Sequence, residues 1–223
     1  MIVLGIDCST KGTNVGVARN GTIISEYNVS IGRRQSADLP WLVEKALSDA
    51  GIDLRELDLI ASSSGPGYFT GIRVGISYAA ALAEGLEKKI VLPDSLHCLA
   101  APFLDGNRRV MSVIRSRKGF FYYSVLEGQY SERRLITPPS LESTAELMNI
   151  CGIFNPSVLV LDGDPVFREE MKIPDSVYAE WVSVRGGWVA LIGESLSKNA
   201  IPPSEARGYY IREPDIGQRK FHE

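Results

Sequence analysis

Three side chains near the start of the chain are of types that could bind a metal ion and a phosphate group. Asp7 follows the apolar run at residues 1–6, and Ser9 and Thr10 come soon after it. A carboxylate beside a turn with free N–H groups can hold hydrated Mg²⁺. The same residues can instead satisfy only the hydrogen bonds of the turn. The sequence leaves both interpretations open, together with a third, the relic of a former nucleotide site.

A glycine-rich stretch at residues 65–75 joins an apolar run to a helical pattern. Its glycines permit a sharp turn, and we expect Thr70 or Ser64 to cap the helix that follows. The free N–H groups at such a helix start attract anions. The stretch is not a P-loop, because no Lys followed by Ser or Thr comes after the last glycine, and Gly67 and Gly71 lack the dinucleotide-binding spacing. A tight strand-to-helix turn without a ligand is therefore the alternative.

The order of residues in this stretch is more informative about family than its chemistry is about a ligand. GPGYFTGIRVG at 65–75 resembles GPGSFTGLRVG, the signature of the TsaB (YeaZ) family, bacterial proteins that help to make threonylcarbamoyladenosine on tRNA. Tyr68 replaces the usual serine, and Ile72 the usual leucine. The loop residues assigned to the signature are Gly65, Pro66, Gly67, Phe69, Thr70, Gly71 and Arg73.

Three further stretches carry the same resemblance. Residues 5–10 are similar to the family's LDTST opening, residues 35–40 to its HS-x-x-L-P stretch, and residues 210–212 to its closing Y-L-R. The resemblance implies a two-lobed α/β fold of the actin-like ATPase type (ASKHA, ribonuclease-H-like), with mixed sheets and flanking helices. In that fold, nucleotide lies in the cleft between the lobes, and Asp7, Ser9 and Thr10 stand where metal and phosphate are handled.

Arg115 argues against a working nucleotide site. The segments around residues 109–125 repeat the pattern of the first two strands weakly, and Arg115 occupies the place of the matching acid. The D-A-R of the TsaB family reads here as Arg115-Ser116-Arg117. A guanidinium repels a cation that a carboxylate would attract. We therefore predict no catalytic residue and no metal ligand.

Two enzymatic functions remain as alternatives. Intact Asp7, Ser9 and Thr10 keep open an ATP-dependent kinase or ATPase of the actin-like superfamily. A peptidase like the M22 enzymes is less favoured, since that class holds its metal through a histidine pair on a helix. This chain has only His97 and His222, far apart in sequence.

Composition places the chain among ordinary soluble proteins. It has 223 residues, of which 44% are hydrophobic, and a net charge of -3, which gives no general attraction to nucleic acid. The apolar start meets an acid at Asp7, too early for a signal peptide, and no later run is long enough to span a membrane. We expect a cytoplasmic protein with three reduced cysteines.

The order of patterns predicts two lobes that each begin with a hairpin. Asn20-Gly21 between β-type runs predicts the first hairpin, and Ser36 is expected to cap a helix that runs to Ala50. The pattern restarts after residue 105, and a helix is predicted at 141–150. We predict an N-terminal lobe at 1–105 with the glycine loop and partner-binding helices, a C-terminal lobe at 106–212 and a charged tail at 213–223.

The helix after the glycine loop is apolar on two sides. Residues 72–86 place one face toward the sheet, and the opposite stripe carries no charge. Trp41 lies across from the apolar face of its own helix. The residues predicted to form a partner interface are Trp41, Val74, Tyr78, Ala81 and Gly85. The alternative is that one helix covers the other within the monomer.

The family resemblance names the partners. It implies a non-catalytic scaffold or activator subunit that pairs with a TsaD-like catalytic paralogue for threonylcarbamoyladenosine modification of tRNA. A TsaE-like ATPase is the further partner, tRNA is contacted indirectly, and no membrane is involved. The isolated chain is expected to form a homodimer. The resemblance implies no cofactor of its own and leaves ATP and Mg²⁺ open at the level of the complex.

Overall fold

The computed structural model describes residues 1–30, 34–171, 173–174 and 176–212, so the predicted tail at 213–223 lies outside the described residues. The first half contains β1 (Ile2–Asp7), β2 (Thr13–Arg19), β3 (Thr22–Val29), α1 (Gln35–Ala50), β4 (Leu59–Ser62), α2 (Phe69–Gly85), β5 (Lys89–Val91) and α3 (Ser95–Ala100). The second half contains β6 (Asp105–Arg117), β7 (Phe120–Gln129), β8 (Glu132–Ser143), α4 (Thr144–Phe154), β9 (Val158–Asp162), α5 (Pro165–Glu170), β10 (Ala179–Val182) and α6 (Gly186–Ser195). None of the described helices is long and apolar enough to cross a membrane.

The strands form two five-stranded sheets with the same internal order. The first sheet runs β3-β2-β1-β4-β5, and the second, read from its β8 edge, runs β8-β7-β6-β9-β10. In each sheet the first three strands are antiparallel and the last two lie parallel to the central strand. β1 and β6 therefore hold equivalent places. This repeat confirms the predicted two-lobed, actin-like α/β fold with mixed sheets.

The hairpin between β2 and β3 forms where the sequence predicted it. Asn20 and Gly21 have φ values of 50° and 77°, so both lie in the left-handed region. A two-residue turn of this hand matches the right-handed twist of the flanking strands. Asn and Gly tolerate that backbone better than other residues, which explains why this short signal was sufficient.

Helices cover both faces of the first sheet. On one face, Ile6 and Val17 share a buried core with Leu42 of α1 and Ile72 of α2. On the other face, α3 and α6 pack in a second core that also includes Val110 from the second sheet. α3 and α6 therefore lie between the two sheets and join the lobes.

Glycines allow α6 to lie directly on the first sheet. A Cβ atom added to Gly5 of β1 would stand 2.3 Å from the Ala190 nitrogen, and one added to Gly16 of β2 would stand 2.2 Å from the Gly187 nitrogen. The chain thus returns to the first sheet after it has completed the second. The lobe boundary at 105/106 stays a prediction, and α6 packs on the first sheet although it follows that boundary in sequence.

The predicted helix caps were wrong. α1 begins at Gln35 after Arg34, so Ser36 lies inside the first turn. α2 begins at Phe69 after Tyr68, and no side chain caps it. The Ser64 hydroxyl donates instead to the Pro93 carbonyl, at 3.2 Å. A backbone hydrogen bond from the Tyr68 N–H to the Ser9 carbonyl holds the start of α2 without a side-chain cap.

The sequence also missed β8 and predicted a helix from Leu141. The structure extends a strand through Glu132–Ser143, and α4 begins only at Thr144. Pro138 and Pro139 lie within this strand. They are tolerated because β8 is an edge strand, where a missing N–H costs no ladder hydrogen bond on the open side.

Candidate functional site

Asp7 ends β1 with its carboxylate fully buried and its hydrogen bonds satisfied within the chain. Oδ1 accepts from the Ser9 N–H at 3.1 Å and from the hydroxyls of Ser9 and Ser63, and Oδ2 accepts from the Asn14 amide at 3.0 Å. The Thr10 hydroxyl is also buried and has no hydrogen-bond partner among the described residues. Asp7 thus stabilises the β1–β2 turn, and a phosphate or nucleotide role for Asp7, Ser9 and Thr10 stays a prediction.

The glycines of the 65–75 loop allow the start of α2 to touch this turn. The Tyr68 N–H donates to the Ser9 carbonyl at 2.7 Å. A Cβ atom at Gly67 would stand 2.1 Å from the same carbonyl oxygen, and one at Gly71 would stand 1.9 Å from the Cys8 carbonyl oxygen. Real Cβ atoms do not approach oxygen so closely. These two glycines are therefore required by backbone packing.

The remaining loop residues contact the end of the described chain. Gly65 has a φ of 105° and a cis bond to Pro66, and a Cβ added to it would stand 2.6 Å from the Tyr209 carbonyl oxygen. The Phe69 ring lies 4.9 Å from the Tyr210 ring, and the Arg73 guanidinium stands 3.9 Å from the Phe69 ring centre. The 65–75 and 210–212 motifs thus form one surface.

Gln35, which begins the 35–40 stretch, contacts the β1–β2 turn. Its side-chain amide donates to the carbonyls of Thr10, at 3.1 Å, and Gly12, at 2.7 Å. All four stretches that carry the family resemblance therefore meet around the β1–β2 turn, although they are distributed from one end of the sequence to the other.

Two acids at the end of β9 face this turn across the cleft between the sheets. The buried Asp164 carboxylate accepts from the Lys11 ammonium at 2.7 Å and from the Tyr68 hydroxyl at 2.8 Å. Asp162 is also buried, and burial, followed by the charges of Asp164 and Asp7, raises its pKa to about 7. No role was assigned to these acids from sequence, and the Asp-Gly-Asp-Pro string after a predicted strand was the signal available.

Arg115, at the end of β6, forms a two-pronged ion pair in the second lobe. Its Nε and Nη2 atoms donate to the two carboxylate oxygens of Glu170, at 3.0 and 2.7 Å. The hydrogen bond with Glu170 raises the pKa of Arg115. Both side chains are mostly buried, so the guanidinium charge is largely neutralised by Glu170.

The predicted interface residues lie along one open side of α1 and α2. Trp41 is 59% exposed, Ala81 and Gly85 are exposed, and Val74 and Tyr78 are half-buried. Tyr78 lines a groove of about 310 Å³ between the two helices, together with Leu47 and Leu82 among others. The helices touch each other but leave this stripe uncovered in the single chain. Whether a partner covers it stays a prediction. We call Trp41, Val74, Tyr78, Ala81 and Gly85 the α1/α2 face.

Comparison with known proteins gives the family. A family model described as TsaD, tRNA N6-adenosine threonylcarbamoyltransferase, matches residues 29–196. The tRNA threonylcarbamoyladenosine biosynthesis protein TsaB of Escherichia coli (strain K12) is 28% identical over 192 residues, 85% of this chain and 73% of that protein. The Bacillus subtilis (strain 168) protein of the same name is 25% identical over 171 residues, 77% of this chain and 75% of that protein. The chain belongs to the TsaB (YeaZ) family, within the broader TsaD family.

Solved structures of the TsaB (YeaZ) family have the same fold. YeaZ from Pseudomonas aeruginosa superposes with a TM-score of 0.76 at 21% identity, over 94% of this chain and 99% of that one. By contrast, a tRNA N6-adenosine threonylcarbamoyltransferase of Thermus thermophilus is 35% identical over 103 residues, 40% of this chain and 32% of that enzyme. The likeness to TsaB proteins therefore extends over more of both chains.

The structure also shows what the two departures from the TsaB signature contact. Tyr68, in place of serine, reaches Asp164 across the cleft. Arg115, in place of aspartate, is paired with Glu170 and also interacts with the Tyr68 side chain. Both departures thus belong to one group of contacting side chains.

Proposed function

We propose that this chain is a subunit that supports a TsaD-type enzyme in threonylcarbamoyladenosine modification of tRNA. The names of its full-length relatives support the pathway. In this proposal the enzyme carries out the transfer to adenine, the chain binds and positions that enzyme, and a TsaE-like ATPase joins the assembly. Contact with tRNA is then indirect, ATP and Mg²⁺ act at the level of the complex, and the location is cytoplasmic.

The observation that carries the pairing proposal is the open α1/α2 face. Trp41, next to Pro40 of the groove lining, is 59% exposed, and the groove is lined mostly by apolar side chains and Tyr78, together with Glu44, Ser48 and Asp53. Aromatic residues near the centre of an interface contribute much of the binding free energy when a partner excludes water from them. The stripe on α2 carries no charge, whereas Glu44 and Asp53 also line the groove, and a partner would have to pair them or leave them in water. Two copies of the chain would pair through the same face when no enzyme is present.

The proposed absence of catalysis is supported by how the cleft side chains are used. The Asp7 carboxylate accepts four hydrogen bonds from its own chain, and Arg115 is engaged by Glu170. Over the part of the chain that the structure describes, no three His, Cys, Asp or Glu residues are grouped to hold a metal ion. An ATPase acting through Asp7 would first have to replace these internal hydrogen bonds.

Tyr78→Arg tests the pairing. The substitution places a charge in the groove of the α1/α2 face, so we expect loss of both the homodimer and the complex with the cognate TsaD-type enzyme in size-exclusion chromatography with light scattering. Tyr178→Arg is the matched control, because Tyr178 is 62% exposed and lies before β10 in the second lobe. Both variants should keep the wild-type circular dichroism spectrum. An unchanged complex with folded Tyr78→Arg would contradict the proposal.

A further inference from the structure

The cleft between the sheets is bridged by side chains from both lobes. Lys11 follows β1, and Tyr68 precedes α2, so both belong to the first lobe. Asp164 follows β9 in the second lobe and accepts from both, at 2.7 and 2.8 Å. Its Oδ1 atom also accepts from the Val166 N–H at 2.9 Å, which holds the carboxylate at the start of α5. Asp164 is therefore fixed to its own lobe and bound by the other.

Burial makes these contacts hard to replace with water. Asp164 is 3% exposed, and the Lys11 ammonium and the Tyr68 hydroxyl are its donors from the first lobe. A buried carboxylate that loses a donor keeps its desolvation cost without the compensating hydrogen bond. This cost applies while the lobes stay closed, as when one donor is removed by mutation. Separation of the lobes would break both contacts and expose the carboxylate to water. A serine at position 68 would be too short to reach Asp164 without movement of the loop.

The cavity directly beside the contacts of Asp164 is small. The cavity beside Lys11, Asn14, Asp162 and Asp164 has a volume of about 170 Å³. A larger pocket of about 560 Å³ lies on the first-lobe side of Lys11 and Tyr68, next to Thr10 and Thr70.

We infer that Lys11, Tyr68 and Asp164 form an interlobe latch that holds the two lobes together at the cleft. The latch restricts movement of the lobes relative to each other, and Tyr68 contributes the hydroxyl that reaches Asp164 in the second lobe. This inference does not depend on which partner binds the α1/α2 face.

Hydrogen–deuterium exchange tests the latch in the full chain. Tyr68→Phe removes only the hydroxyl, and we expect exchange about tenfold faster in peptides of both cleft walls, residues 8–13 and 159–168, because local opening becomes easier. Tyr27→Phe is the matched control. The Tyr27 hydroxyl donates to Asp49, a tyrosine–aspartate bond that lies within the first lobe. Its loss should leave both walls unchanged.

A second variant covers the case in which Tyr68→Phe fails to fold. Lys11→Gln removes the other bridge to Asp164 and should also accelerate exchange in both walls, and the double variant should exchange at least as fast as either single one. The inference is overturned if the folded variants exchange like the wild type. It is also overturned if the acceleration stays within residues 66–70, since that would make Tyr68 a local loop contact only.

Discussion

Asp162→Asn should stabilise the protein, and increasingly so as the pH rises. Asp162 is 3% exposed at the end of β9, and its Oδ2 atom has no hydrogen-bond partner among the described residues. Burial is the main cause of its raised pKa, Asp164 and Asp7 add to it, and Lys11 opposes it. The folded chain must therefore bury a poorly compensated negative charge at neutral pH, and asparagine removes that charge at nearly the same volume.

The size and sign of this effect follow from proton linkage. The pKa of Asp162 is raised from 3.8 to about 7 in the folded chain. Between these values the folded state binds more protons than the unfolded state, so the wild-type free energy of unfolding falls as pH rises from about 4 to about 7. Over about three pH units, at about 1.4 kcal/mol for each, the lost stability is on the order of 4 kcal/mol. Asp162→Asn should recover this amount above pH 7 and little near pH 4.

Urea unfolding at pH 4.5, 6 and 8 measures the effect. The difference in unfolding free energy between Asp162→Asn and the wild type should grow through this series. Asp105→Asn is the control, because the side chain of Asp105 is 52% exposed. Its difference should stay small at every pH. If Asp162→Asn destabilises the chain equally at all three pH values, Asp162 is held by hydrogen bonds that its charge requires, and the reasoning is refuted.

Two further predictions concern a glycine and a histidine. Gly71→Ala should cost at least about 2 kcal/mol of unfolding free energy in the same assay, because its Cβ would overlap the Cys8 carbonyl. Gly85→Ala is the control, since a Cβ there meets open space and should be neutral or slightly stabilising. Equal effects of the two substitutions would contradict the packing role of Gly71. Burial, followed by the charge of Arg133, lowers the pKa of His97 to about 3, so its imidazole NMR signals should stay those of the neutral ring from pH 7 down to pH 5, and a midpoint near 6.5 would show that the ring is accessible to water.

Local signals in the sequence were sufficient for much of the fold. Asn20-Gly21 predicted its hairpin because the turn depends on the backbone freedom of two residues. The restart of the pattern after residue 105 predicted the second lobe, since each strand carries its own periodicity. β8 was not predicted, and the helix expected from Leu141 overlapped its end. The prolines of β8 are acceptable at a sheet edge, and edge position is a property of the assembled sheet.

Features of the candidate sites were likewise predictable where they depend on local sequence and not where they depend on contacts between distant residues. Helical spacing was sufficient to predict that Trp41 lies away from the apolar face of α1, and Trp41 is 59% exposed, whereas its part in an interface stays a prediction. The roles of Tyr68 and Asp164 could not be found, because the two residues stand 96 positions apart and meet only when the lobes close. Likewise, the need for glycine at position 71 comes from the Cys8 carbonyl of another element.

The central claim is that the chain supports a TsaD-type enzyme through the α1/α2 face. Its most direct test is the formation of threonylcarbamoyladenosine on tRNA by the purified cognate enzyme, alone, with the wild-type chain and with Tyr78→Arg. The account predicts modification with the wild-type chain and a loss of at least about tenfold with Tyr78→Arg, which corresponds to about 1.4 kcal/mol of binding free energy when the chain is limiting. Full modification by the enzyme alone, or equal modification with Tyr78→Arg, would contradict it.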